Sequence, residues 1–140
     1  VHVLGHPSFP LHPGKYADML GKKIKEQNVD VWLINTGWTG GPYGIGTRMK
    51  LTYTRAMITA VMEGKFNDVT FEKHPIFGMD MPVSCPNVPS EVLNPRNTWS
   101  DKSAYDEKAI DLAKQFIKNF EKYASGVTQE ILDAAPKTSL

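Results

Sequence analysis

Residues 35–55, NTGWTGGPYGIGTRMKLTYTR, concentrate the residue types of this chain that could do chemistry. Five glycines come first, Gly37, Gly40, Gly41, Gly44 and Gly46, and a basic, hydroxyl-rich stretch follows directly. Gly41 and Gly46 have the separation of the two glycines of a phosphate loop. That loop also needs a lysine after the second glycine to reach the terminal phosphates, and then a hydroxyl to bind magnesium. Here Thr47 and Arg48 follow Gly46, so the order is inverted, and arginine's planar fork does not replace the point charge of lysine. The dinucleotide pattern fails as well, because Gly44 and Gly46 would require a third glycine where Met49 stands. A loop that merely turns the chain uses the same glycines.

The stretch TRMKLTYTR is more distinctive. Arg48, Lys50 and Arg55 are interleaved with the hydroxyls of Thr47, Thr52, Tyr53 and Thr54 and with apolar Met49 and Leu51. Arginine stacks on a purine ring, methionine packs on its face and threonine hydrogen-bonds its edge. The bland alternative is a helix N-terminus with solvated basic residues. Elsewhere, His2, His6, His12 and His74 lack metal-ligand spacing, and three of them neighbour prolines, which suits turns. Cys85, between Ser84 and Pro86, has no adjacent cation to activate it and reads as inert and buried. Nothing singles out Asp80 or Glu91 as a general base, and Met79 and Met81 read as packing residues. No complete catalytic or metal-binding constellation is present.

The elements that carry these residues follow from periodicity and punctuation. Pro7, Pro10 and Pro13 make residues 5–14 an extended lead-in. From Lys15, Tyr16, Leu20 and Ile24 recur at helical spacing opposite Lys22, Lys23, Lys25 and Glu26, and Asn28 closes the helix. The apolar run VDVWLIN, residues 29–35, reads as a buried strand of the kind found in parallel sheets. A second helix spans roughly residues 53–63, with Ala56, Met57, Ala60 and Val61 on its apolar face and Gly64 as its stop. Residues 65–100 hold five of the ten prolines and read as ordered, winding loop with a strand at DVTFE. A long helix, residues 103–124, aligns Ala109, Leu112, Ala113, Phe116, Phe120 and Tyr123, with Ser103 and Asp106 as a capping box and Gly126 as its end. A short turn, residues 128–135, stops before Pro136.

A chain of 140 residues is one domain's worth, and 41% hydrophobic with 22% charged residues is ordinary for a globular protein. The net charge of +1 provides no broad field for nucleic acid, and no apolar run has bilayer-spanning length. The single cysteine suits a reducing compartment. The opening VHVLGHPSFPLHPG has neither an initiator methionine nor a signal-peptide pattern and reads as the interior of a longer polypeptide.

The stretch VWLINTGWTGGPYGIGTRMKLTYTRAMITAV closely resembles the C-terminal portion of ATP-dependent phosphoenolpyruvate carboxykinases. The likeness extends upstream through LHPGKYADMLGKKI and downstream through HPIFGMDMP, VPSEVLNPRNTW and AIDLAKQFIKNF, in the family's order. It implies an α/β fold in which residues 1–140 form part of a mixed-sheet C-terminal nucleotide-binding domain with flanking helices and no internal boundary. It also implies an enzyme that converts oxaloacetate and ATP to phosphoenolpyruvate, ADP and CO2: decarboxylation leaves an enolate whose oxygen takes the γ-phosphoryl group. Mg2+ and Mn2+ would be bound by the upstream part of that enzyme, together with the phosphate loop and the oxaloacetate-binding arginines. By the resemblance, Arg48, Met49 and Thr54 surround the adenine and ribose of ATP, Met49 through its backbone or general packing, and a mobile lid lies just upstream of LHP. The implied partners are oxaloacetate, ATP and the remainder of the polypeptide, with no nucleic acid, no membrane and an open oligomeric state. The expected location is cytoplasmic, the terminal TSL being a poor match to a peroxisomal S-K-L address. The alternatives from other classes are a free-standing nucleotide-binding module without chemistry and a structural domain whose glycines only turn the chain.

Overall fold

The computed structural model describes residues 11–35 and 37–140, which form two compact units. One comprises Val1–Val31 and Gln115–Ala135, the other Trp32–Lys114 and Pro136–Leu140. Among the described residues no helix is long and apolar enough to cross a membrane.

In the first unit, helix α1 (Pro13–Gln27) starts two residues before the expected Lys15. His12 explains the difference. Its Nδ1 accepts the Gly14 N–H at 3.1 Å, and Pro13 occupies the first turn, where a missing N–H costs nothing. Asn28 closes α1 as expected, in the left-handed conformation (φ 48°) with its N–H on the Ile24 carbonyl. The expected extended lead-in before residue 11 lies outside the described residues. A one-turn 3-10 helix, Glu121–Tyr123, and helix α6 (Gln129–Asp133) complete this unit. The Tyr123 ring meets His12 edge-on at 6.1 Å, and Lys25 pairs with Glu130 at 3.6 Å on the surface. The predicted apolar stripe of α1 is uncovered at Leu20, which is 60% exposed.

The second unit holds every buried hydrophobic residue found among the described residues. Its elements are β1 (Trp38–Thr39), β2 (Thr47–Arg48), α2 (Leu51–Met62), β3 (Phe71–Lys73), β4 (Asp80–Pro82), α3 (Ser90–Leu93) and α4 (Pro95–Thr98). Helix α5 (Lys102–Phe120) contributes its residues up to Lys114. Both sheets are two-stranded antiparallel hairpins, β1 with β2 and β3 with β4. Mixed helix and strand is what the α/β reading requires. One core packs Ala60 of α2 against Phe66, Cys85 and Val88, with Trp32 stacked on Phe66 at 4.8 Å. A second packs Ile76, 1% exposed, against Ala109 and Ala113 of α5. Small alanines let the bulky Ile76 approach the helix, and its burial contributes about 1.5–3 kcal/mol.

Three expectations need correction. Residues 29–35 form no strand: they join no ladder among the described residues, and Leu33 is 75% exposed. Apolar β-branched composition favours an extended chain, but a strand exists only where a neighbour takes up its N–H and C=O groups. Residues 65–100 carry a strand near DVTFE as expected, β3, but the stretch after it is more ordered than a winding loop, since β4, α3 and α4 fall within it. The cap of α5 is Asp101, whose carboxylate accepts the Ala104 N–H at 3.0 Å, and not the pair Ser103 and Asp106. Asp106 is engaged elsewhere, by both Nε and Nη2 of Arg96 at 2.8 and 2.9 Å. Leu112 and Phe116, both on the predicted stripe of α5, remain 41% exposed.

Candidate functional site

The glycine loop is the connection of the β1–β2 hairpin. Trp38 pairs with Arg48 and Thr39 with Thr47, and the ladder continues as the Met49 N–H donates to the Gly37 carbonyl at 3.0 Å. Between the strands, the Ile45 and Gly46 amides both donate to the Pro42 carbonyl, at 3.1 and 2.9 Å. Gly40 (φ 78°) and Gly44 (φ 91°) occupy the left-handed region. Gly46 is required for a different reason. A Cβ there would stand 2.6 Å from the Thr39 carbonyl oxygen and collide with that of Gly41.

These bonds decide what the loop can hold. A phosphate cradle needs several amides aimed outward and unpaired. The Gly37 amide is taken by Asn35 Oδ1 at 2.9 Å, that of Gly40 by Thr98 Oγ1 at 3.1 Å, and that of Gly46 by Pro42. Three of the five glycine amides are thus occupied, and Gly40, Gly44 and Gly46 shape the turn of the hairpin.

The hairpin delivers Arg48, Met49 and Lys50 straight into α2. Lys50 is the N-cap residue, but it has no side-chain acceptor and makes no capping bond. Its ammonium lies 5.5 Å from the centre of the Tyr53 ring. The first turn of α2 carries no acidic residue, so the helix's positive end adds to Arg48, Lys50 and Arg55. The local field is positive even though the net charge is only +1.

The three nominated residues sit on this continuous piece of chain in different environments. Arg48 is exposed, and its guanidinium has no partner among the described residues. Met49 is half-buried, and its amide is consumed by Gly37, which leaves its carbonyl and side chain for any contact. Thr54 is 8% exposed in the first turn of α2, its N–H bonded to the Lys50 carbonyl at 3.3 Å. Of the three, Arg48 alone is exposed.

The geometry adds Trp38, which residue pattern did not nominate. As the cross-strand partner of Arg48 it projects from the same face of the hairpin. It is 49% exposed and meets Tyr43 edge-on at 5.2 Å. An aromatic plane beside a free guanidinium is suited to a flat, π-rich ligand. The signal was present in the spacing, since Trp38 and Arg48 flank the turn, but it becomes readable only once the register is known.

The sequence profile of the phosphoenolpyruvate carboxykinase family matches residues 2–91. The chain belongs to that family. It is 60% identical over 134 residues to the phosphoenolpyruvate carboxykinase (ATP) of Flavobacterium johnsoniae, covering 96% of this chain and 25% of that protein. The enzyme of the same name from Christiangramia forsetii is 59% identical over 132 residues, covering 94% of this chain and 25% of the relative. That of Thermus thermophilus is 52% identical over 134 residues, again 25% of its length. The chain thus spans about a quarter of the length of the curated relatives it matches. Those relatives carry ATP in their names. Among the described residues no group of three or more His, Cys, Asp or Glu side chains is placed to hold a metal ion.

Three titratable groups away from the hairpin, His74, Cys85 and Tyr105, are shifted by burial. Desolvation lowers the His74 imidazole below its ordinary value and raises the Cys85 thiol above its own. Cys85 is buried, as expected, with its Sγ 3.7 Å from the Pro86 carbonyl oxygen.

Proposed function

We propose that this chain is a C-terminal segment of an ATP-dependent carboxykinase, part of one nucleotide-binding domain, and that it supplies the adenine side of the ATP site. The complete enzyme would convert oxaloacetate and ATP to phosphoenolpyruvate, ADP and CO2, in the cytoplasm. The observation that carries the adenine assignment is the unpartnered, exposed Arg48 guanidinium held at the foot of a glycine-shaped hairpin. In this reading Arg48 stacks on the base, the Met49 side chain packs against it, and Thr54 lines the wall behind. The amides of Gly37, Gly40 and Gly46 are already bonded and no lysine follows Gly46, so in this reading the phosphates would be held by the rest of the polypeptide. In this reading the divalent metals would be held there too. The unladdered apolar run at residues 29–35 supports the same reading, because such a run suits a strand of a larger sheet.

The test is Arg48→Ala in the complete enzyme. A desolvated arginine–π contact is worth about 2 kcal/mol, so the KM for ATP should rise on the order of 10- to 30-fold. The KM for oxaloacetate should stay within about twofold, and Arg48→Lys should restore little, because an ammonium lacks the stacking plane. Equal increases for both substrates would refute an adenine-side role.

A further inference from the structure

The adenine-side hairpin is fastened at its base by a single hydroxyl, that of Thr98. Its Oγ1 accepts the Gly40 N–H at 3.1 Å and the Thr39 hydroxyl at 3.1 Å, and it donates to the Pro95 carbonyl at 2.7 Å. One proton and two lone pairs are all assigned, so the group has a single orientation. The fit is close as well. A Cβ on Gly40 would lie 3.1 Å from the Thr98 carbonyl oxygen. These contacts join residues 58 and 59 positions apart, and no other side-chain bond ties the hairpin loop to a distant element among the described residues.

Thr98 is itself held from several sides. Asn94 caps its short helix by accepting the Arg96 N–H at 3.1 Å. Lys102, at the start of α5, spends its ammonium on the carbonyls of Arg96, Asn97 and Trp99 at 3.0, 2.9 and 2.7 Å. The two-pronged Arg96–Asp106 pair ties the same turn to α5, and Trp99 meets the Tyr105 ring edge-on at 5.7 Å. The turn at residues 94–99 is therefore a rigid post standing on α5, and Thr98 is its point of contact with the hairpin. Thr39, which Thr98 grips, is paired across the ladder with Thr47, the neighbour of Arg48.

We propose that Thr98 is a positioning residue for nucleotide binding: it sets where the β1–β2 hairpin stands and so where Arg48 meets the base. This rests on the adenine-side reading above. Thr98 touches no ligand in this account. It acts through Thr39 and Gly40, and a guanidinium that stacks on a flat ring is sensitive to displacement because the contact is directional.

The experiment is Thr98→Val in the complete enzyme, which removes the hydroxyl at nearly constant volume and leaves the Gly40 amide without its acceptor. The expected result is a KM for ATP raised about three- to tenfold, the loss set by one hydrogen bond. The turnover number and the KM for oxaloacetate should each stay within about twofold, and Thr98→Ser should restore the ATP KM. An unchanged ATP KM, a parallel rise in both KM values, or no rescue by serine overturns the proposal. If Thr98→Val does not accumulate as folded protein, Thr39→Val is assayed in its place. It removes one of the hydroxyl's two donors, and it should raise the ATP KM selectively by about two- to threefold, an unchanged value again overturning the proposal. Arg48→Ala run in parallel separates the two ideas. No effect of Arg48→Ala on ATP would mean that the adenine-side reading has failed. An effect there without one at Thr98 would mean that only the positioning role has failed.

Discussion

Replacing His74 tests whether its buried imidazole organises the turn that carries Ile76. The side chain is 4% exposed and makes three polar contacts. Nδ1 accepts the amides of Ile76 and Phe77, each at 3.2 Å, and Nε2 lies 2.8 Å from the Tyr105 hydroxyl. Two amides directed at Nδ1 require a lone pair there, so Nε2 carries the proton and donates to Tyr105. Burial raises the Tyr105 phenol, which stays neutral as acceptor. His74→Leu removes the acceptor of the Ile76 and Phe77 amides and the donor to the Tyr105 hydroxyl, and Ile76 is fully buried. At 1–3 kcal/mol per buried orphan, discounted for relaxation, the local cost is about 3 kcal/mol. That corresponds to a local opening population raised on the order of a hundredfold. His74→Asn keeps an acceptor for the two amides in an Asx-type turn and loses only the Tyr105 bond, at about 1 kcal/mol. Hydrogen exchange of the peptide covering residues 74–80, corrected for intrinsic rates, reads both variants in the complete polypeptide. The pH dependence has a defined sign. The folded pKa lies below the unfolded value of 6.5, so the unfolded chain takes the proton first. Local stability is therefore full above pH 6.5 and falls as pH drops toward the folded pKa, by at most about 1.4 kcal/mol per pH unit. In His74→Asn that dependence should vanish. Protection in His74→Leu equal to the native protein's, or an unchanged pH slope in His74→Asn, would refute the argument.

Gly46→Ala should damage ATP binding more than Gly44→Ala. The new methyl at 46 meets backbone oxygens of Gly41 and Thr39 and must spread the hairpin, costing about 1–3 kcal/mol, whereas a Cβ at 44 enters open space and meets only the φ penalty of about 1–2 kcal/mol. A larger rise in the ATP KM for Gly44→Ala would contradict this. Cys85 should react with a thiol reagent at pH 8 at least about tenfold more slowly than a free peptide cysteine, because it is buried and its thiolate is disfavoured, and the difference should disappear in denaturant. Native-state labelling at the free-peptide rate would contradict the burial.

Much of the local structure is written in neighbouring residues. The helical spacing of Tyr16 to Ile24 and the left-handed Asn28 define α1 and its end, and Ala56, Ala60 and Gly64 do the same for α2. The family was legible too, because VWLINTGWTGG, TRMKLTYTR, HPIFGMDMP and LNPRNTW occur in order within a single chain. A missing lysine after Gly46 was enough to set aside the phosphate loop, and three of its five glycine amides are bonded elsewhere.

What local pattern left open depends on groups far apart in the chain. Ser103 and Asp106 have capping-box spacing, yet Asp101 caps the helix, because Arg96 offers Asp106 a two-pronged charged bond that a single amide cannot match. Residues 29–35 have the composition of a strand, but a strand is a relation between chains of backbone, and none of the described residues pairs with them in a ladder. Nothing near His74 announces that Tyr105, 31 positions away, will fix its proton. Thr98 looks like any turn threonine until the hairpin folds against it across 58 residues. Helix period and caps are satisfied within a few residues, so residue order determines them. Hydrogen-bond satisfaction across the chain is settled only when the packed elements bring donor and acceptor together.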